Sequence, residues 1–392
     1  MRTAVTGIGI VSALGIGVQE HHQAMRDMRS GISDCPEILR TQNHLPVGEL
    51  KLTNAELSQR LGLDEKSHLS RTALLGMLAA KEALTDAQIR PGMRVGLISS
   101  TSVGGMDLTE HFFEEFMQDA GKGRLRDVRM HDCCASTDAI ADYCGITGYK
   151  TTISTACSSA ANAIMTGDRL IRHGILDYVV VGGTDALSAF TLNGFKSLRI
   201  LDENKCRPFD QTRAGLNLGE GAGYIVLQRA DTLERDPYCW LGGYSNRNDA
   251  HHQTATSDDG DGAYLAMNEA LEKAGLSPDD VKYINVHGTG TGNNDSSEGQ
   301  ALKRLFGENV PPFSSTKGYT GHTLAAAGGI EAVFSVLSIS KGIIWPNIHF
   351  EHMIEGLDLR PQTCYAEGEP ISCVISNSFG FGGNCSSLVF VK

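Results

Sequence analysis

The chain has 392 residues, 41% of them hydrophobic, and a formal charge of −12. The acidic balance argues against nucleic acid as a partner, because a phosphate backbone selects a basic face. No apolar run reads as the roughly 20 residues that span a bilayer, so no membrane is expected.

Ten cysteines stand singly apart from Cys133-Cys134, with no C-x-x-C spacing and no secretory leader. Free thiols in a reducing, cytoplasmic compartment are expected, with no metal site. The length supports two domain-sized halves, 1–232 and 233–392.

Arg2 to Val11 reads as a β-rich strand, Gln19 to Arg29 and Asn54 to Leu61 as helices, and His68 to Ala87 as a helix with one buried face. Arg94 to Ser100 is a continuous apolar strand of the kind found in covered parallel sheets. A helix over His111 to Asp119 follows, then an ambiguous stretch from 121 to 148. Tyr149 to Ser154 reads as a short buried strand, Ala161 to Ile171 as a helix, and Tyr178 to Thr184 and Ala222 to Leu227 as strands.

After a charged linker from Gln228 to Pro237, the second half repeats the logic. Strands are expected at Cys239 to Tyr244, Val281 to Val286, Ile371 to Ser376 and Ser386 to Val391, and helices at Gly262 to Ala274, Asp295 to Phe306 and Leu324 to Ser340. Alternating strands and helices mean an α/β architecture. Each half ends in a glycine-rich turn feeding a strand, Gly219 to Gly223 and Gly380 to Gly383, a faint sign of duplication.

Four segments carry candidate chemistry. Cys157 lies between a strand end and a helix start, where unpaired amides and the helix dipole favour thiolate, with a pKa depressed towards roughly 3.5 to 7.5. Taken alone, it reads equally well as a small apolar residue packed beneath a helix. His287 leaves a strand into a Gly-Thr-Gly-Thr-Gly loop, Lys317 and His322 precede a helix, and Phe379-Gly-Phe381-Gly-Gly leaves amides open. A lone histidine is more often a satisfied polar group, Lys317 can be a solvated side chain, and the glycine loop a plain hairpin.

Together, these four segments supply a nucleophile, donors and an oxyanion hole. The residues do not select a two-histidine site over a Cys-His-Asn arrangement. No G-x-G-x-x-G opens a helix after a strand, which sets a dinucleotide site aside.

The whole set resembles the elongating β-ketoacyl-acyl carrier protein synthases. The resemblance runs through Val5 to Gly15, Ser154 to Ala160, Arg207 to Asp210, Leu218 to Gly223, His287 to Thr291, Thr316 to His322 and Ser376 to Gly383. It departs at Gly292-Asn-Asn-Asp295, where proline is usual after the second threonine, and at Asn384-Cys385, where Thr-Asn is usual.

The resemblance implies the thiolase fold, two similar five-stranded halves in an α-β-α-β-α sandwich, with the nucleophile in the first half and both histidines in the second. It implies that Cys157 takes the acyl chain as a thioester, and that His287 and His322 bind the malonyl thioester carbonyl and promote decarboxylation. Lys317 paired with Glu331 is then a support, and the amides of Cys157 and Phe381 form the oxyanion hole. Phe379 and Phe381 lie at a gate, Asp249 to Thr254 forms a loop opposite it, and Thr289 and Thr291 assist.

The implied partner is an acyl carrier protein that brings its own phosphopantetheine, so no cofactor is expected. A homodimer is implied, or a heterodimer with a related subunit. Lys205, Arg207 and Arg213 form one candidate docking cluster, and Lys66 and Arg71 a second. The implied reaction is fatty acid elongation, with a dedicated polyene or polyketide synthase as the alternative and a non-catalytic chain-length factor as a third reading.

Overall fold

The computed structural model describes residues 3–64, 67–90 and 92–392. Lys66, one of the expected docking residues, lies outside them. Among the described residues, ten strands carry the main sheet: β1 (Thr3–Ser12), β2 (Val95–Ser100), β3 (Lys150–Ile153), β4 (Tyr178–Asp185), β5 (Gly221–Arg229), β6 (Cys239–Asn248), β7 (Tyr283–Asn285), β8 (Phe313–Ser314), β9 (Cys373–Gly380) and β10 (Asn384–Val391). The two-residue strand Gly15–Ile16 hangs on β1.

The sheet order is β8-β7-β9-β10-β6-β1-β5-β4-β2-β3. Read inward from each edge, it is β3-β2-β4-β5-β1 and β8-β7-β9-β10-β6, so every strand of the first set is matched by the strand five later. The pairing senses match as well. β2 runs parallel to β3 and β4 as β7 does to β8 and β9, whereas β5 and β10 are antiparallel to both neighbours. The glycine-rich turns that hinted at duplication lead into the corresponding strands β5 and β10. The two sets join through antiparallel pairs Thr3↔Leu241, Ala4↔Trp240 and Val5↔Cys239.

The helices are α1 (Val18–Arg26), α2 (Asn54–Leu61), α3 (Arg71–Ala87), α4 (Met106–Gln118), α5 (Leu125–Val128), α6 (Cys133–Cys144), α7 (Ser159–Arg172), α8 (Ala189–Ser197), α9 (Asp261–Ala274), α10 (Gly292–Phe306), α11 (Lys317–Thr320) and α12 (Ala327–Lys341). The ambiguous stretch 121–148 resolves into α5 and α6, and α8 was not expected at all. α4 starts five residues earlier than its apolar pattern suggested. None of its residues is buried, so the periodicity of a packed face is weak there.

α7 packs on β2, β4 and β5, and α12 touches α7, β5 and β9, so these two helices lie between the strand sets. α3 and α6 cover the outer face of the first set, and α9, with α10 packed on it, that of the second, where Ala301 and Leu302 of α10 share a core with Ile284 and Ile375. The result is the five-layer α-β-α-β-α sandwich. Within β4, Val179 and Val181 join the central core while Tyr178 and Val180 join the outer one, which is why the strand reads as an unbroken apolar run. α12 lies directly on β5. A Cβ on Gly223 would stand 2.3 Å from the Ile330 amide, and one on Gly329 2.3 Å from the Gly223 carbonyl oxygen.

The helical stretch Leu324–Lys341 is, by length and composition, long and apolar enough to cross a bilayer, contrary to the expectation from the sequence. It is 89% buried inside the protein. Its apolarity therefore serves the layer it occupies, which has sheet on both sides.

Candidate active site

Ligands collect at the carboxyl ends of parallel strands in α/β sheets. Here the ends of β3, β7, β8 and β9 bring Cys157, His287, His322 and Phe379 to one cavity of about 300 Å³. Lys317, also after β8, lies behind it.

Between β3 and α7 the chain turns through Ala156, a non-glycine residue with φ +52. The Ser159 hydroxyl braces this turn, accepting the Thr155 N–H at 2.7 Å and donating to the Ala156 carbonyl at 2.5 Å. Gly380 backs it closely, since a Cβ there would lie 3.0 Å from the Thr155 carbonyl oxygen. The Cys157 side chain is left 6% exposed, with the Phe381 N–H on its sulfur.

This environment does not give the depressed thiol pKa expected at a helix start. Burial pushes it up to about 12, and the charge of Lys317 and the Phe381 amide offset only part of that. The helix-end effect acts over one turn, and desolvation of a fully buried thiol exceeds it.

The loop after β7 is fixed by two buried carboxylates from α10. Glu298 accepts the His287 and Gly288 amides, both at 2.9 Å, and Asp295 accepts those of Thr289 at 3.0 Å and Gly290 at 3.2 Å. Burial raises the Glu298 carboxyl to about 7 against the pull of these amides and of Asn377. The Thr289 and Thr291 hydroxyls meet at 2.9 Å on the cavity wall.

Lys317, 2% exposed, donates from Nζ to the carboxylate of Glu331 and to the His287 carbonyl at 2.5 Å. The same Nζ stands 3.3 Å from His287 Nδ1. An ammonium only donates, so Nδ1 of His287 accepts and its proton sits on Nε2. His322 is set the same way by a different donor, the Leu324 N–H on its Nδ1 at 3.0 Å. Burial, aided by the Lys317 charge, holds both rings well below the ordinary imidazole pKa. The rings pack edge to face at 5.4 Å. Two neutral imidazoles with their remaining N–H groups at the cavity of a thiol are suited to hold a carbonyl or enolate oxygen.

Phe381, 37% exposed, stacks on Phe195 with ring centres 6.0 Å apart. These two rings and Cys157 also line a second, apolar cavity of about 400 Å³, walled by Val103, Phe190, Leu198 and Leu324. Phe379 packs on His287 at 5.6 Å. Asp249 and Thr254 lie in the segment opposite. Asp249 ties it together by accepting the Ser257 and Gly262 amides, and Thr254 lines the first cavity. The Gly382 N–H reaches Gln253 O at 2.7 Å, joining this segment to the turn that carries Phe381.

Two expected docking residues are corrected. Arg71 is buried in a two-point pair with Glu220, at 2.8 and 2.6 Å, and donates to the Leu50 and Leu52 carbonyls. Arg213 is spent on the Thr291, Gly292 and Asp210 carbonyls and the Ser296 hydroxyl, with its side chain 7% exposed. Neither guanidinium faces a partner. Lys205 and Arg207 keep partly exposed positions, Lys205 pairing loosely with Asp34 at 3.5 Å.

Arg199, missed in the sequence, is exposed at the cavity mouth. Phe195, Asp185, Asp295 and Glu298 were missed too. For the last pair a signal existed, since carboxylates three apart open the helix that follows the His-Gly-Thr-Gly-Thr loop.

The β-ketoacyl synthase N-terminal domain model matches residues 1–232, and the C-terminal domain model matches 238–351. The chain belongs to the β-ketoacyl synthase family. The synthase is thus a carbon-carbon bond-forming acyltransferase with the thiolase fold. It is 33% identical to a 3-oxoacyl-[acyl-carrier-protein] synthase 2 of Staphylococcus aureus, over 100% of this chain and 98% of the relative, and 31% identical to the enzyme so named in Synechocystis, with the same coverage.

Among solved structures, the synthase is similar to the ishigamide ketosynthase/chain length factor, with a TM-score of 0.93 and 27% identity over 100% of this chain and 99% of that one. It is also similar to a ketosynthase in complex with its chain length factor from Xenorhabdus doucetiae, with a TM-score of 0.83 and 31% identity over 100% and 98%. A third is a type II polyketide ketosynthase solved with its acyl-carrier protein, with a TM-score of 0.88 and 27% identity over 100% and 99%.

Proposed function

We propose that the synthase carries out the decarboxylative Claisen condensation of fatty acid elongation on acyl carrier protein substrates. Cys157 attacks an acyl-carrier thioester, forming an acyl-enzyme and releasing the carrier thiol. Malonyl-carrier protein then places its thioester carbonyl between the Nε2 protons of His287 and His322. Loss of CO2 leaves an enolate whose oxygen these donors stabilise more than the ground-state carbonyl. Its carbon attacks the acyl thioester, the C–S bond to Cys157 breaks, and 3-oxoacyl-carrier protein leaves. One proton is taken up to restore the thiol.

The observation that carries this reading is the pair of imidazoles with both Nδ1 atoms occupied as acceptors, lining one cavity with Cys157. The amides of Cys157 and Phe381 form the oxyanion hole for the thioester, Thr289 and Thr291 meet the incoming arm, and the Phe195–Phe381 stack divides acyl and malonyl sides. The Lys317–Glu331 pair holds the histidine. The carrier docks over Lys205 and Arg207, with Arg199 at the mouth, and brings its own phosphopantetheine, so no further cofactor takes part. The working protein is a cytoplasmic dimer.

Incubation of wild type and Cys157→Ala with acyl-carrier proteins, read by mass spectrometry, tests the reading. A wild-type adduct absent from the variant is expected, and no stable adduct on Cys157 means the mechanism is wrong. His287→Ala and His322→Ala should acylate while losing malonyl decarboxylation, and full decarboxylation in both removes the histidines from it.

A second reading, a dedicated polyene or polyketide ketosynthase, is favoured by the 0.93 TM-score to the ishigamide ketosynthase/chain length factor. Preference for conjugated over saturated acyl chains separates the two, and in that case the dimer partner is a related chain-length subunit. A non-catalytic chain-length factor is not favoured, because Cys157, His287 and His322 are all present.

A further inference from the structure

Asp185 ends β4, the strand that matches β9 in the second set, and it is fully buried. It is the first-set counterpart of Gly380, beside the Phe381 amide. Its hydrogen-bond partners are all donors. The Thr101 hydroxyl and the Ser102 and Val103 amides, at 3.0 and 3.2 Å, point at Oδ1, and the Ala325 amide at 2.8 Å and the same Ser102 amide at 3.1 Å point at Oδ2. These donors come from two segments more than 200 residues apart in sequence. Ser102 and Val103 follow β2 and wall the apolar cavity from one side, and Leu324 walls it from another.

The Ala325 contact bears on His322. Leu324, with φ +52, holds a left-handed conformation that costs a leucine about 1 kcal/mol or more. In that conformation two consecutive amides diverge. The Leu324 N–H meets His322 Nδ1 at 3.0 Å and the Ala325 N–H meets Asp185. Two other polar contacts reach the turn, the Ser100 hydroxyl on the Ala325 carbonyl at 3.3 Å and the Ala326 N–H on the Thr323 carbonyl at 3.0 Å, and of the three the Asp185 bond is the shortest and the one made to a carboxylate.

We propose that Asp185 is a positioning residue for His322: its carboxylate pins the Leu324–Ala325 turn to the β2 loop, so the Leu324 amide stays on Nδ1 and the imidazole proton stays on Nε2. The same carboxylate sets the spacing between the Val103 and Leu324 walls of the apolar cavity. An asparagine, with one oxygen in place of two, keeps one side of the bridge whichever way it turns, whereas Asp185→Ala removes the acceptor of all four donors and opens both sides.

This inference rests on the reading of His322 as the donor for decarboxylation. The test is nitrogen NMR of imidazole-labelled full-length synthase, with the His322 signals identified by their loss in His322→Gln. The wild type is expected to show Nε2 protonated and Nδ1 bare. Asp185→Ala is expected to show a mixture of the two tautomers, with the malonyl decarboxylation kcat lowered at least tenfold, its KM within about twofold, and Cys157 acylation much less affected. A His322 ring unchanged in folded Asp185→Ala overturns the proposal. So does a wild-type ring protonated on Nδ1, a measurement that needs no variant to fold. If His322→Ala decarboxylates normally, the reading of the reaction fails instead, and the tautomer result still decides the role of Asp185.

Discussion

Lys317 Nζ lies 3.3 Å from Nδ1 of His287 and donates to the carbonyl of the same residue. One buried cation therefore sets both the backbone position and the tautomer of that histidine. Its charge is matched by Glu331, whose carboxylate has, among the described residues, only the Ser378 hydroxyl besides, at 3.5 Å. Removing one partner of such a pair strands the other charge and costs about 3–5 kcal/mol. Lys317→Met should lower the urea unfolding midpoint accordingly, and adding Glu331→Leu should recover most of that loss. Decarboxylation should stay low in both, because Nδ1 of His287 has lost its donor. An unchanged midpoint in the single variant, or no recovery in the double, would contradict the pairing.

With the Cys157 thiol pushed up to about 12 by burial, the free synthase should hold it protonated at neutral pH. Below such a pKa the thiolate fraction grows tenfold per pH unit, so alkylation by iodoacetamide should climb through pH 6 to 9 without levelling. A plateau at or below pH 8 would show a stabilised thiolate, as the helix-start position alone suggested.

The two kinds of arginine can be told apart by what their removal changes. Arg71→Ala leaves Glu220 unpaired and buried, and should destabilise by about 3–5 kcal/mol. The KM for carrier-bound substrate should not change in the folded fraction. Lys205→Glu and Arg207→Glu should leave unfolding unchanged and raise that KM roughly three- to tenfold, most strongly at low ionic strength. A KM effect that ignores salt would remove these two from the docking surface.

Phe381 contributes a backbone donor and a ring, and the two can be separated. Phe381→Ala keeps the amide on the Cys157 sulfur but loses the stack on Phe195 between the two cavities. Acylation should therefore survive, while malonyl decarboxylation by the unacylated synthase rises relative to condensation. The ratio of CO2 released to 3-oxoacyl product measures this, and a ratio equal to that of wild type would refute the dividing role.

Much of the sheet was readable because strands covered on both faces are continuous apolar runs, as in β2 and β4, and the helices of the central layer are strongly periodic or apolar. α8 was not readable, since only Thr191 and Leu192 of its nine residues are buried. The apolar stretch of α12 looks the same whether sheet or lipid surrounds it. Arg71 was taken for a surface charge because a residue's type carries no information about its burial, and its partner Glu220 is 149 positions away.

The sequence by itself determined which groups are available: a thiol at a strand-to-helix turn, two imidazoles and a lysine at matching places in the second half, and an open glycine loop. The tertiary structure decided their protonation. Cys157 is a thiol because burial outweighs the helix end, and His287 and His322 carry their protons on Nε2 because Lys317 and the Leu324 amide occupy Nδ1. Protonation follows from solvent exclusion and from partners brought near by folding, and neither is a local property of the chain.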